Sequence, residues 1–323
     1  MPLIEKSTYQ PPFIFRNNHL NTIYPSLFRK VKGVEYNRER IETPDDDFID
    51  LDWSTVGSKK LVIVLHGLEG SADRAYVRGV VKRLNDQGWD GLGFNFRGCS
   101  GEDNRQARSY HSGETEDLDL IIQKVKKMDV YKQVAIVGFS LGGNVVLKYV
   151  GERGANLDSL ITHAIGISVP CHLESGSAQL SQWYNKIYMN RFLVTLKEKA
   201  EDKRSLIEHL VDFEKIHGSK DFYGFDHHLT APINGFESAI DYWTKSSSKQ
   251  FLPNIKIPTL MINAIDDSFL GEESYPRALA KDHPFFFLET PKYGGHVGFA
   301  GTDSKGYYWT DNRVVEFLLG NVN

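Results

Sequence analysis

The chain has 323 residues, 41% hydrophobic and 25% charged, which is ordinary globular usage and excludes disordered or low-complexity architectures. Its formal net charge is −4 with Lys and Arg scattered, so there is no basic footprint and no nucleic-acid partner is expected. Its two cysteines, Cys99 and Cys171, make neither a disulfide framework nor a zinc ribbon. With no signal-peptide run at the N-terminus and no apolar run near the ~20 residues of a membrane span, a soluble, cytoplasmic protein without an integral membrane segment is expected.

Along the chain, residues 34–43 and 47–53 flank Pro44-Asp45-Asp46, the pattern of an antiparallel hairpin at a sheet edge. Short, continuous, β-branched apolar runs then recur at 61–65, 91–96, 134–137, 161–167, 259–263 and 285–288. Continuous rather than alternating apolar runs are what parallel strands covered on both faces require. Between the runs, 74–87 predicts a helix ending at Gly88, where a left-handed conformation costs little. Residues 115–128 predict another, with Leu118, Ile121, Ile122 and Val125 on one face and acidic residues at its start. Strands alternating with helices imply a mostly parallel, doubly wound α/β sheet.

The stretch 171–249 breaks this rhythm with helical patterns and no clear strand, and it lies between two core strands. We expect a helical lid inserted into the core. Within it Leu180, Trp183, Tyr184, Ile187, Tyr188 and Phe192 are expected to form one amphipathic stripe, packed on the domain or turned toward a substrate acyl chain or membrane surface.

The strongest chemical signal is Gly138-Phe139-Ser140-Leu141-Gly142, between the run 134–137 and a helical pattern through Val145, Val146 and Tyr149. Gly-x-Ser-x-Gly between strand and helix is a nucleophile elbow, in which a strained turn projects the serine at the sheet's carboxyl edge. A serine hydroxyl needs a base to take its proton and an acid to orient that base. Chain order serine, acid, histidine is met by Ser140, by Asp266-Asp267 after the run 259–263, and by His296 in Gly294-Gly295-His296-Val297-Gly298. Two aspartates compete for the acid. Hydrolases of this class place it three residues after a small residue ending the strand, and counting from Ala264 favours Asp267, leaving Asp266 as a turn or capping residue. Two backbone N–H donors for a developing oxyanion are expected from Leu141 and from Leu68 in His66-Gly67-Leu68-Glu69-Gly70, with His66 shaping that loop. His227-His228 lacks a third ligand at metal spacing, so no metal is expected, and the chemistry asks for no cofactor.

With these residues in view the chain resembles the α/β-hydrolase superfamily, and more narrowly its YheT-like branch, AB hydrolase family four. The resemblance rests on His19-Leu20-Asn21-Thr22 with Tyr24-Pro25, on the blocks 66–71, 95–101, 110–117 and 138–144, and on Gly294 to Phe299. It implies an α/β-hydrolase fold over the whole chain, with core 1–170 and 250–323 and lid 171–249. It also implies a serine hydrolase acting on acyl esters through Ser140, Asp267 and His296. Ser268 departs from the proline that often follows the paired aspartates. Membrane-anchored members carry an N-terminal span that this sequence does not begin with, which points away from a bilayer-bound phospholipase. Blocks 97–101 and 111–117 are expected to be scaffolding, and Cys99 a buried small residue. The expected function is a carboxylesterase for short to medium acyl esters of small molecules, working through an acyl-enzyme. The alternatives are an alcohol acyltransferase or a lipase or phospholipase using the same acyl-enzyme, and a ligand-binding protein that kept the fold without the chemistry.

Overall fold

The computed structural model describes residues 3–320. Each apolar run becomes a strand, because β-branched and aromatic residues pack well on a pleated surface. The strands are β1 (Leu3–Ile4), β2 (Asn37–Glu42), β3 (Phe48–Ser54), β4 (Lys60–Leu65), β5 (Asp90–Phe94), β6 (Gln133–Phe139), β7 (Ile161–Ile167), β8 (Thr259–Ile262) and β9 (Phe286–Glu289). They form one sheet in the order β1-β9-β8-β7-β6-β4-β5-β3-β2. Pairing is parallel from β1 to β5, and β3 and β2 close the far edge antiparallel. That edge is the expected hairpin, with Glu42 opposite Phe48. Strand β1 was not foreseen, since two residues carry no readable periodicity; it pairs Leu3 with Leu288.

After α1 (Asn18–Phe28) near the N-terminus, helices α2 (Ala75–Asn85), α3 (Glu116–Lys127), α4 (Leu141–Arg153) and a C-terminal helix, Trp309–Leu318, cover both faces. Successive residues of a strand point to opposite faces, and β4 shows the division. Leu61, Ile63 and Leu65 pack in one buried cluster with Leu118, Ile121 and Ile122 of α3 and Val145 and Val146 of α4. Val62 and Val64 pack in another with Val77, Val80 and Val81 of α2 and Val314 and Phe317 of the C-terminal helix. The sheet is thus doubly wound.

Between β7 and β8 the described residues hold helices and no strand. Here α5 (Leu173–Leu180) and α6 (Lys186–Asp202) are followed by short helical segments through Ala239–Ser246 and a 3-10 helix at Ser248–Asn254. The single stripe expected from Leu180 to Phe192 is not formed. A 3-10 turn at Trp183–Asn185 interrupts it, because buried Asn185 donates to the Gln179 and Ser268 carbonyls and breaks the helical path. Trp183 and Ile187 are left in solvent, 84% and 78% exposed. Leu180, Tyr188 and Phe192 turn inward.

Two buried polar clusters tie loops to this frame. Arg97 donates in a bidentate pair to Asp117 at 2.8 and 2.7 Å and reaches Asp45 at 2.8 Å and Asp47 at 3.0 Å. One guanidinium so joins the β2–β3 turn to the start of α3. Asn144 on α4 donates to the Ser112 and Ser246 carbonyls and accepts the Ser248 N–H, fastening the helix after the elbow to the end of the inserted helices.

Candidate active site

Strand β6 lies between β7 and β4 in the middle of the sheet, and its carboxyl end runs into Ser140, the N-cap of α4. Ser140 has φ 51° and ψ −118°, a backbone conformation that costs of order 1–3 kcal/mol for a residue with a side chain. The turn is too tight for side chains two positions to either side. A Cβ at Gly138 would stand 2.2 Å from the Gly142 carbonyl oxygen, and one at Gly142 would stand 2.5 Å from the His66 carbonyl oxygen. The Ser140 N–H donates to the Ile167 carbonyl at 2.8 Å, which anchors the strained residue to β7.

His296 follows β9, and its Nε2 lies 2.8 Å from Ser140 Oγ. Its Nδ1 lies 2.9 and 3.1 Å from the two carboxylate oxygens of Asp267, which follows β8. The Asp267 side chain is fully buried and that of His296 nearly so. A carboxylate at Nδ1 holds a proton on that nitrogen and leaves the Nε2 lone pair facing the serine hydroxyl. Phe269 stacks on the imidazole, ring centres 4.2 Å apart, and its N–H donates to Asp267.

Asp266 turns the other way. It accepts the Gly295 N–H at 2.9 Å, and burial, reinforced by the Asp267 charge, pushes its carboxyl up to about 6 against the hydrogen bond from Gly295. It is therefore the brace of the histidine loop and not the partner of the imidazole. Three further residues without an assigned role in the sequence reading hold that loop. The His296 N–H donates to Thr22 Oγ1, the Val297 N–H to Ser168 Oγ and the Ala300 N–H to Asn21 Oδ1. Val297 sits at φ 58°, a conformation β-branched residues avoid, and these bonds keep it there. The only signal for Asn21 and Thr22 was their block near the N-terminus, which reveals no partner.

Leu68 and Leu141 line the same cavity as Ser140. Leu141 is the first residue of α4, so its N–H has no partner within the helix. The loop bearing Leu68 passes so close that a Cβ on Gly67 would stand 3.2 Å from Ser140 Cβ. His66 shapes this loop: its Nδ1 faces the Gly67 carbonyl, its Nε2 accepts the Phe96 N–H, and burial lowers its pKa to about 3. Glu69, at φ 53°, is held by Tyr110, whose hydroxyl accepts its N–H and donates to its carboxylate, and by Lys199 of α6 at 3.0 Å.

Ser140, His296, Leu68, Leu141, Glu69 and Lys199 line a cavity of about 560 Å³, within the range of small-molecule sites. Cys99 is buried and its thiol is pushed up to about 11 by burial. His227 and His228 lie in the inserted helices with ring centres 5.0 Å apart, and among the described residues no group of three His, Cys, Asp or Glu is set to hold a metal.

A family profile described as alpha/beta hydrolase fold matches residues 60–300. The chain is 35% identical over 312 residues to the candidate esterase YheT of Escherichia coli, covering 94% of this chain and 91% of that one. It is 28% identical to the phospholipase ABHD3 of Homo sapiens, over 92% and 75% of the two chains. Among solved structures, the Pyrococcus furiosus esterase Pf2001 superposes with a TM-score of 0.59 at 20% identity, over 90% of this chain and 94% of that one. A matched profile spanning most of the chain, the relationship to YheT over nearly its full length and the doubly wound sheet agree: this chain belongs to the α/β-hydrolase family.

Proposed function

We propose that the protein is a serine carboxylesterase for small acyl esters, with Ser140 as nucleophile, His296 as general base and acid, and Asp267 as the orienting carboxylate. The observation that carries this reading is the Ser140–His296–Asp267 relay, 2.8 Å from Oγ to Nε2 and 2.9 Å from Nδ1 to the carboxylate. Carboxylic ester hydrolysis is the activity class of this protein, and the names of its relatives, which include an Escherichia coli candidate esterase and a Saccharomyces cerevisiae monoacylglycerol lipase, agree.

Ser140 Oγ attacks the ester carbonyl carbon as its proton passes to His296 Nε2. The resulting oxyanion is held by the Leu68 and Leu141 N–H groups, with the α4 N-terminus adding a favourable dipole. The carbon–oxygen bond to the alcohol breaks, and the departing alkoxide takes the proton from Nε2. Water then attacks the acyl-enzyme, giving one proton to His296, and collapse releases the acid and returns the proton to Ser140. Asp267 keeps Nδ1 protonated and stabilises the imidazolium. We assign the catalytic core to residues 1–170 and 250–323 and the lid to 171–249; with both cysteines reduced and buried, the cytoplasm suits the chain. No helix among the described residues is long and apolar enough to cross a membrane.

The test is a hydrolysis screen of p-nitrophenyl esters from acetate to palmitate, with Ser140→Ala as blank. The expected result is turnover peaking at short to medium chains, with kcat in the variant down by several orders of magnitude and its folding intact. Hydrolysis by Ser140→Ala at the wild-type rate would overturn the assignment.

A further inference from the structure

Helix α1 is built inside out. Its exposed residues Leu20, Ile23, Tyr24, Leu27 and Phe28 stand at i, i+3, i+4, i+7 and i+8, the spacing that normally seats a helix on a core, while the residues it buries are Asn21 and Pro25. Beside it, Trp183, Tyr184 and Ile187 stand exposed where α6 begins. The two groups meet: His19 Nδ1 lies 3.0 Å from the Tyr188 hydroxyl, and Ile23, Leu27 and Ile187 line the same cavity as Ser140. Of the twenty large hydrophobic side chains exposed among the described residues, ten fall in segments 13–28 and 183–187, so the apolar surface is concentrated at this mouth rather than scattered.

Charge singles out the same face. The chain as a whole is acidic by four charges, yet residues 6–34 and 175–197 contain no Asp or Glu. Arg16, Lys30, Lys32, Lys186 and Arg191 are exposed, and among the described residues none has a carboxylate partner. An apolar stripe fringed by unpaired cations is the composition of an element lying in a lipid headgroup region. Self-association about a two-fold axis would instead bring this unbalanced positive charge against its own copy.

We propose that the face formed by α1 and the start of α6 docks on the surface of a bilayer containing anionic lipid, with the cavity mouth opening onto that surface. Trp183 and Phe28 enter the headgroup region, the five cations meet lipid phosphates, and an ester could pass from the membrane to Ser140 without crossing water. Docking needs no turnover, so it stands apart from the assignment of the catalytic residues.

The experiment is cosedimentation of the full chain with vesicles of phosphatidylcholine alone or mixed with phosphatidylglycerol, at low and high salt. Binding is expected to the anionic vesicles, to weaken with salt, and to be the same for Ser140→Ala. It should fall by about tenfold or more in Trp183→Asp with Phe28→Asp, and likewise in Lys30→Glu with Lys32→Glu. Both double variants should hydrolyse a soluble short-chain p-nitrophenyl ester at the wild-type rate. Absence of wild-type binding to either vesicle overturns the proposal, as does undiminished binding by both double variants. A face that binds an acidic protein but no vesicle overturns it too.

Discussion

Thr22 of α1 and His296 are 274 residues apart, yet Thr22 Oγ1 accepts the His296 N–H at 2.9 Å. The helix that bears the exposed apolar stripe is therefore also the support of the imidazole loop. Gly295 packs against the same stretch, since a Cβ there would stand 2.5 Å from Thr22 Oγ1.

Replacing Thr22 by Val keeps the shape and removes the acceptor. The half-buried His296 N–H then lacks a partner, which costs about 1–3 kcal/mol of stability. The imidazole also loses its register with Ser140, lowering kcat/KM by up to about 10²-fold. Thr22→Ser, which retains the hydroxyl, should recover most of both. Thermal unfolding and ester hydrolysis of the two variants check this; equal losses in Thr22→Ser would mean that the methyl group, not the hydrogen bond, is what matters.

The paired aspartates make a sharper contrast. Asp267→Asn should lower kcat by about 10⁴-fold by favouring the wrong imidazole tautomer, whereas Asp266→Asn keeps an acceptor for Gly295 and should leave activity within a few fold. Their pH behaviour differs as well. Burial raises the Asp266 carboxyl from 3.8 to about 6, so in that interval the folded state binds more protons than the unfolded state. Stability contributed by this residue therefore falls as pH rises from about 4 to 6, and the full cost is present above 6. Urea unfolding of wild type and Asp266→Asn across that interval should show the variant gaining relative stability with pH. A constant difference would remove Asp266 as the titrating group.

Lys199 links α6 to the loop bearing Leu68, through Glu69. We expect Lys199→Met to lower kcat about tenfold with little change in KM, less than the ~10²–10³ that follows outright loss of an oxyanion donor. Lys199→Arg should restore most of it. Because the two groups act as a pair, Lys199→Met combined with Glu69→Gln should be no worse than the more damaging single variant. Additive losses would separate the two residues.

How much of this was legible in the chain depends on how local each feature is. The strands at 61–65 and 134–137 and the elbow at Ser140 were readable because a β-branched run, a helical period and two glycines two positions from a serine act within a few residues of one another. The order serine, acid, histidine likewise needs only position along the chain, and so the sequence alone determined the parallel α/β fold and the candidate residues at the strand ends. Orientation was decided elsewhere. Asp266 and Asp267 are chemically identical neighbours, and only the Gly295 N–H, brought from after β9, turns one toward the loop and leaves the other to the imidazole. Asn21 and Thr22 gain their role from a histidine loop at the far end of the chain. The stripe expected across Leu180 to Phe192 failed because Asn185 finds the Ser268 carbonyl, a partner no periodicity reveals. Periodicity states that a helix has an apolar side; it is silent on what covers that side. In α1 the core takes Asn21 and Pro25 instead, and leaves Leu27 and Phe28 in solvent.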